Sequence, residues 1–276
     1  MKIKVTTNAF SKNKQLRSKL LTYFPNSNFN EEGIRYKGKE LVNFLRDADG
    51  AIIGLEDITL DLLSKLPKLK IIAKYGVGLD SIDLDACKKS NVKVGWTPAV
   101  NKLSVAEMTL GFMIDLSRNL QLTSNQLKEG IWNKSGGKQL TGKTIGIIGL
   151  GHIGKELVRL LKPFNCRIVS HDILDQYEFC KINNIETLSL NHLLNKSDIV
   201  TIHTPLTTIT HGLVDKSFLS KMKKDSFLIN TARGPIIVLD DLKNALNKSI
   251  ISGAAIDVYD EEPPKDYDLI KIKNLF

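Results

Sequence analysis

The sequence predicts an α/β protein made of two parallel-sheet domains, and three observations predict it. Short β-branched runs alternate with helix-length amphipathic stretches along the whole chain of 276 residues. The alternation restarts mid-chain at a glycine-rich hexapeptide, Gly149-Leu150-Gly151-His152-Ile153-Gly154. A composition of 42% hydrophobic and 25% charged residues is that of an ordinary globular protein, long enough for two cores.

Taken in order, residues 3–7, 50–55, 69–75 and 92–96 read as strands, and 14–24, 39–46, 60–66 and 84–89 as helices. Residues 26–29 are a further strand candidate. Helices between strands act as crossovers, and crossovers make parallel sheets, so residues 1–98 form a first, smaller domain. After Pro98, residues 103–128 carry apolar positions at helical spacing and read as one long segment linking two domains. Gly136-Gly137 and Gly142 mark the loop that follows. Residues 99–276 are the second domain. Within it, 144–148 is a strand, 155–162 a helix ending at Pro163, and 167–171 a strand closed by Asp172. Runs at 198–202, 226–230 and 252–256, each preceded by a helix-like stretch, continue that sheet.

Strand, glycine-rich turn, helix, strand and acid, in that order, make up the dinucleotide-binding βαβ unit. Gly149 serves the tight turn, Gly151 the close approach of a pyrophosphate, and Gly154 the packing of helix on strand, while His152 and Ile153 open the helix whose unpaired amides face the phosphates. Asp172 accepts from the two hydroxyls of an adenosine ribose and repels a 2′-phosphate. Ile173 follows it, with no arginine beside it, so the expected cofactor is NAD.

Other classes of function are set aside on composition. The chain begins Met1-Lys2-Ile3-Lys4-Val5, a strand rather than a secretory leader, and no apolar run approaches a membrane span, so no membrane role and a cytoplasmic location are expected. Cys87, Cys166 and Cys180 are odd in number and widely spaced, as reduced thiols are; Cys166 reads as core, and no metal site is expected. The net charge of +9 comes from scattered lysines, a solvated surface rather than a nucleic-acid stripe. A nucleic-acid binder remains a rival reading, and it requires salt-sensitive DNA binding.

Ligands of open parallel sheets collect at the carboxyl ends of the strands. Three segments stand there: His203-Thr204-Pro205, Asn230-Thr231-Ala232-Arg233-Gly234, and Asp257 with Glu262 beyond it. A guanidinium at the mouth of a sheet binds a carboxylate through two hydrogen bonds and polarises the adjacent carbonyl, which singles out Arg233. The acids Asp257 and Glu262 suit either orientation of a proton-transfer group or a grip on a carboxamide.

These segments, with Lys74-Tyr75-Gly76-Val77-Gly78-Leu79-Asp80 and Asn101-Lys102-Leu103-Ser104-Val105-Ala106-Glu107, give the sequence a strong resemblance to the D-isomer-specific 2-hydroxyacid dehydrogenases, most of all the phosphoglycerate-dehydrogenase branch. The resemblance implies a flavodoxin-like substrate domain, a Rossmann cofactor domain, and hydride transfer between NAD and a small 2-hydroxy or 2-keto acid in the cleft between them. It implies that the amides of Tyr75, Gly76, Val77 and Gly78 meet the substrate carboxylate and that Asn101 lies near the substrate. Arg233 would hold carboxylate and carbonyl, Glu262 would orient the catalytic histidine, and Asp257 would meet the nicotinamide carboxamide. His203, Thr204, Pro205, Thr231 and Ala232 would line the cofactor. A homodimer through the cofactor domain is the family's usual state, with residues 103–132 as the place for it.

The family's histidine belongs to a Pro-His pair shortly after the segment represented by residues 272–276, and the chain stops at Phe276. The expectation is therefore a fragment or truncated gene model that binds NAD but turns over weakly, without its return helix and with the edge of its second sheet unpaired. His203 is the best placed of the other histidines, ahead of His152, His171, His192 and His211, without being the family's proton donor. The alternative reading is an NAD-binding regulatory protein of the same fold.

Overall fold

Strands covered by helices on both faces are apolar throughout, and those of this chain assemble into two separate parallel sheets. The computed structural model describes residues 1–134 and 136–276 and divides into two units, Met1–Val100 and Asn101–Phe276.

The first unit holds β1 (Ile3–Val5), β2 (Asn28–Phe29), β3 (Gly50–Ile53), β4 (Ile71–Lys74) and β5 (Lys93–Gly95). They pair in parallel in the order β2-β1-β3-β4-β5, the flavodoxin-like order. Val5, Ile53 and Ile72 are fully buried. Helix Gly38–Leu45 lays Leu41 and Leu45 into the same core, and helix Leu60–Ser64 adds Leu62 and Leu63. Side-chain caps start the helices: Thr7, Asn13, Thr59 and Asp83 each accept from an amide of the first turn.

The second unit holds β6 (Thr144–Ile148), β7 (Arg167–His171), β8 (Glu186–Thr187), β9 (Ile199–Ile202), β10 (Phe227–Asn230) and β11 (Gly253–Ile256). Their order is β8-β7-β6-β9-β10-β11, all parallel. Counted from β6 this is the doubly wound 3-2-1-4-5-6 sheet of the Rossmann fold. Helix Lys102–Arg118 packs on helix His152–Leu161, burying Met113 and Leu116 with Leu157 and Leu161.

Four expectations change. Residues 103–128 are two helices, Lys102–Arg118 and Leu120–Lys128, because Asn119 takes a left-handed conformation (φ 56°) that ends the first. The two-residue edge strand β8 is polar and exposed, so no hydrophobic pattern announces it. The free edge of β11 is partly covered: Ala254 and Ile256 donate to the carbonyls of Asn274 and Phe276, and Phe276 donates back to Ala254. Cys166 is only half-buried, with its thiol near the Leu140 carbonyl (3.4 Å) and its pKa pushed up to about 11 by burial.

Candidate functional site

The strands β6 and β9 are neighbours although β7 and β8 lie between them in the chain, so the sheet turns in opposite directions from this seam. Such a switch point opens a crevice at the carboxyl ends of the strands. The glycine turn leaves β6 at that point. Gly149 has φ +91°, and its amide donates to the His171 carbonyl at 2.9 Å. A side chain there would meet the His203 carbonyl oxygen at 2.7 Å, and one at Gly154 would meet that of Gly149 at 2.5 Å.

Gly151 differs from both. Its φ of −78° suits any residue, and an added Cβ would meet nothing within 4 Å. Neither conformation nor packing within the protein calls for glycine, which leaves close approach by a ligand. The helix behind it, His152–Leu161, has no side-chain cap, so its first amides are available to an anion. His152 is exposed there and Ile153 half-buried.

Asp172 ends β7 and is tied into the turn. Its Oδ2 accepts from the Leu150 amide at 2.6 Å and its Oδ1 from Leu174 at 2.9 Å. Each oxygen keeps a lone pair for a hydroxyl donor.

At the end of β9, His203 Nε2 lies 3.0 Å from Thr201 Oγ1. Burial pushes the imidazole down to about 4, so it is neutral at pH 7. Among the described residues His203 Nδ1 and Thr204 Oγ1 are buried with no hydrogen-bond partner. A buried polar atom left unpaired costs about 1–3 kcal/mol, and two at the mouth of one crevice fit a polar ligand. Pro205 follows, exposed.

The loop after β10 is built by Asn230, which the sequence marked only as the first residue of its segment. Its Oδ1 accepts from the Ala232 amide (3.0 Å) and its Nδ2 donates to the Arg233 carbonyl (2.9 Å). Thr231 and Ala232 are buried, and Thr231 Oγ1 lies 3.2 Å from Thr109 Oγ1 on helix Lys102–Arg118, a link equally silent in the sequence. Arg233 is extended and half-buried, and its Nη1 donates to the Ala232 carbonyl at 2.7 Å.

Gly234 brings the next loop in, since a Cβ there would lie 2.2 Å from the Tyr259 carbonyl carbon. The Asp257 amide donates to the Asn230 carbonyl (3.0 Å), and Glu262 Oε1 accepts from the Tyr259 amide (3.3 Å). Partial desolvation, and then the charge of Glu262, raise the Asp257 carboxyl above the usual range. The second sheet thus gathers the glycine turn, Asp172, residues 203–205, residues 231–233, Asp257 and Glu262 at its carboxyl end. Asn101 begins helix Lys102–Arg118 in the same unit, its side chain making no cap bond.

The remaining predicted residues follow β4 in the first unit. The Tyr75 amide extends the ladder to the Ile53 carbonyl (2.8 Å), and its ring packs edge-on against Phe10 at 5.5 Å. Gly76 has φ +142°. Trp96 Nε1 donates to the Val77 carbonyl (2.9 Å), and Lys74 Nζ to the Gly54 carbonyl and to Ser81 Oγ (3.2 Å). Among the described residues the amides of Gly76, Val77 and Gly78 have no acceptor, so three consecutive donors face outward, as a carboxylate requires.

Comparison with known proteins follows from this geometry. The family profile described as "D-isomer specific 2-hydroxyacid dehydrogenase, NAD binding domain" matches residues 110–276. A glyoxylate reductase of Thermofilum pendens is 39% identical over 246 residues, covering 86% of this chain and 73% of the relative. A D-3-phosphoglycerate dehydrogenase of Methanocaldococcus jannaschii is 36% identical over 241 residues, covering 86% of this chain and 46% of the relative. The chain thus spans under half the length of that enzyme. The NAD complex of a Staphylococcus aureus NAD-dependent formate dehydrogenase superposes with a TM-score of 0.84 at 32% identity, covering 100% of this chain and 87% of that one. Among the described residues no helix is long and apolar enough to cross a membrane.

Proposed function

The chain belongs to the D-isomer-specific 2-hydroxyacid dehydrogenases, and on that premise we propose that it is an NAD-dependent oxidoreductase interconverting a small 2-hydroxy acid and its 2-keto acid, on the phosphoglycerate-dehydrogenase-like side of the family. One observation carries the reading: the bare Gly151 edge beside an uncapped helix, with Asp172 tied to the same turn through Leu150.

Bound NAD supplies hydride chemistry at C4 of its nicotinamide. The residues of the chain bind and orient. Gly149, Gly151, His152, Ile153 and Gly154 shape the pyrophosphate seat, and Asp172 takes the ribose hydroxyls. His203 Nδ1 and Thr204 Oγ1 find their missing partners in the cofactor, with Pro205, Thr231, Ala232 and Asp257 around it. Arg233 grips the substrate carboxylate and draws electron density from the carbonyl, which favours hydride arrival at C2. The open amides of Gly76, Val77 and Gly78 after Tyr75 suit a carboxylate, Asn101 is a substrate contact, and Glu262 orients the proton-transfer group.

His203 is too weak a base to be that group at neutral pH, and none of the five histidines follows Glu262. Residues 1–276 by themselves therefore bind NAD and turn over slowly, since a missing general acid costs about 10²–10⁴-fold. Exposed Leu103, Leu120, Leu127, Ile131 and Trp132 support homodimerisation through the second unit, and a cytoplasmic location accompanies the reading.

NADH and NADPH titrations followed by cofactor fluorescence, with a panel of 2-keto acids, test it. The expected result is preference for NADH, with Asp172→Ala weakening NADH about tenfold and removing the preference. Binding of NADH with slow turnover of a keto acid is expected of residues 1–276, and a protein that binds neither cofactor sinks the reading.

A further inference from the structure

The end of the second sheet opposite the glycine turn carries a cavity of about 330 Å³, the size of a small-ligand site. It lies where β6, β9 and β10 begin, and four lysines, Lys138, Lys143, Lys223 and Lys224, line it. Two of them are neutralised. Lys223 pairs with Asp198 at 2.8 Å and Lys138 with Asp225 at 3.3 Å. Asp198 is committed further, its other oxygen accepting the Thr144 amide at 2.8 Å. Burial alone would raise its carboxyl, but Lys223, this amide and the more distant charge of Lys143 hold it low, so it stays an anion.

Lys143 and Lys224 have no ion-pair or hydrogen-bond partner for their ammonium groups among the described residues, yet line the same concavity. Lysines at this end of a doubly wound sheet often answer the negative ends of helices, and Lys224 follows helix Lys216–Lys221 in that way. Lys143 leads into a strand and has no such explanation. A third polar group is independent of the lysines: Ser117, 6% exposed, lines the cavity, and among the described residues its hydroxyl makes no hydrogen bond. Phe227 and Ile199 supply an apolar wall.

We propose that this cavity is a second anion site, distinct from the cofactor crevice, that takes a small phosphoryl-bearing molecule between Lys143, Lys224 and the Ser117 hydroxyl. Four ammonium groups against the carboxylates of Asp198 and Asp225 leave a surplus of two positive charges in the lining, which a diphosphate or phosphomonoester matches and a monocarboxylate does not. The volume excludes a polymer as the enclosed ligand while leaving room for a small organic group against Phe227.

The test is calorimetric titration of residues 1–276 at low ionic strength with inorganic pyrophosphate, with glucose 6-phosphate as the phosphomonoester and acetate as the monocarboxylate. Each titration is repeated in saturating NADH, so that binding at the glycine turn is separated from binding at the cavity. Expected is binding of one or both phosphoryl compounds that survives NADH, is weakened at least about tenfold by Lys143→Ala with Lys224→Ala, about threefold by Ser117→Ala, and is kept by Lys143→Arg with Lys224→Arg. Unchanged thermal unfolding of the variants shows that they fold. No binding of either phosphoryl compound, equal binding of acetate, binding abolished by NADH, or equal affinity in the double alanine variant overturns the proposal. So does binding confined to duplex DNA, which makes the surface a polyanion patch instead. Because the alanine variants are read without reference to NADH, failure of cofactor binding is scored separately.

Discussion

At the carboxyl end of β4 two carbonyls are held by side chains, that of Gly54 by Lys74 and that of Val77 by Trp96, and the amides of Gly76, Val77 and Gly78 make no hydrogen bond among the described residues. At the carboxyl ends of β6 and β9 the backbone is instead shaped by close glycine contacts, and His203 Nδ1 and Thr204 Oγ1 are left without partners. Both ends offer donors to an anion, but the first is braced by bonds within the protein, and the second leaves two buried polar atoms without partners among the described residues. The difference teaches where substitution costs stability and where it costs binding.

The largest effect is expected from Gly154→Val. Its Cβ would lie 2.5 Å from a backbone oxygen that cannot give way, so urea unfolding should show a loss of about 3 kcal/mol, with NADH affinity down more than tenfold. A normal unfolding midpoint would break the account of the turn.

Next comes the pH dependence set by His203. Its folded pKa of about 4 lies below the ordinary value of 6.5, so between these the unfolded chain binds the extra proton. Stability from this group is therefore full above about pH 6.5 and lost as pH falls towards 4, by an amount on the order of 3 kcal/mol. His203→Gln should flatten that part of the curve, and superimposable curves for the two proteins would contradict burial of the ring.

The smallest stability effects sharpen the comparison most. Gly76→Ala places a side chain at φ +142° and should cost about 1–2 kcal/mol while leaving NADH affinity alone. Gly151→Ala should do the reverse, shifting stability by less than about 0.5 kcal/mol while weakening NADH severalfold. Equal profiles for the two would remove the distinction between a self-sufficient turn and a ligand-completed one.

Most of this fold is legible because most strands are short apolar runs and the crossovers between them helical ones, and the residues after the strands are named by position alone. Asn230 was legible only as part of a motif, since its two bonds to Ala232 and Arg233 depend on how the chain doubles back after β10. Thr109 carried no signal, because its partner Thr231 lies 122 residues away. The break at Asn119 escaped the pattern, which runs apolar across it; β8 escaped because two exposed polar residues have no pattern to show.

The amino-acid sequence by itself determined the two-sheet architecture, the glycine turn with its acid, and the family, because periodicity and local motifs are short-range properties. Tertiary structure alone decided which glycines are hemmed in by neighbouring atoms and which face open space, which polar atoms among the described residues are left unpaired at the switch point, and that Lys143, Lys224 and Ser117 share one cavity. Those are matters of which atoms occupy the same few ångströms, and residues far apart in the chain meet there only after the sheet has closed.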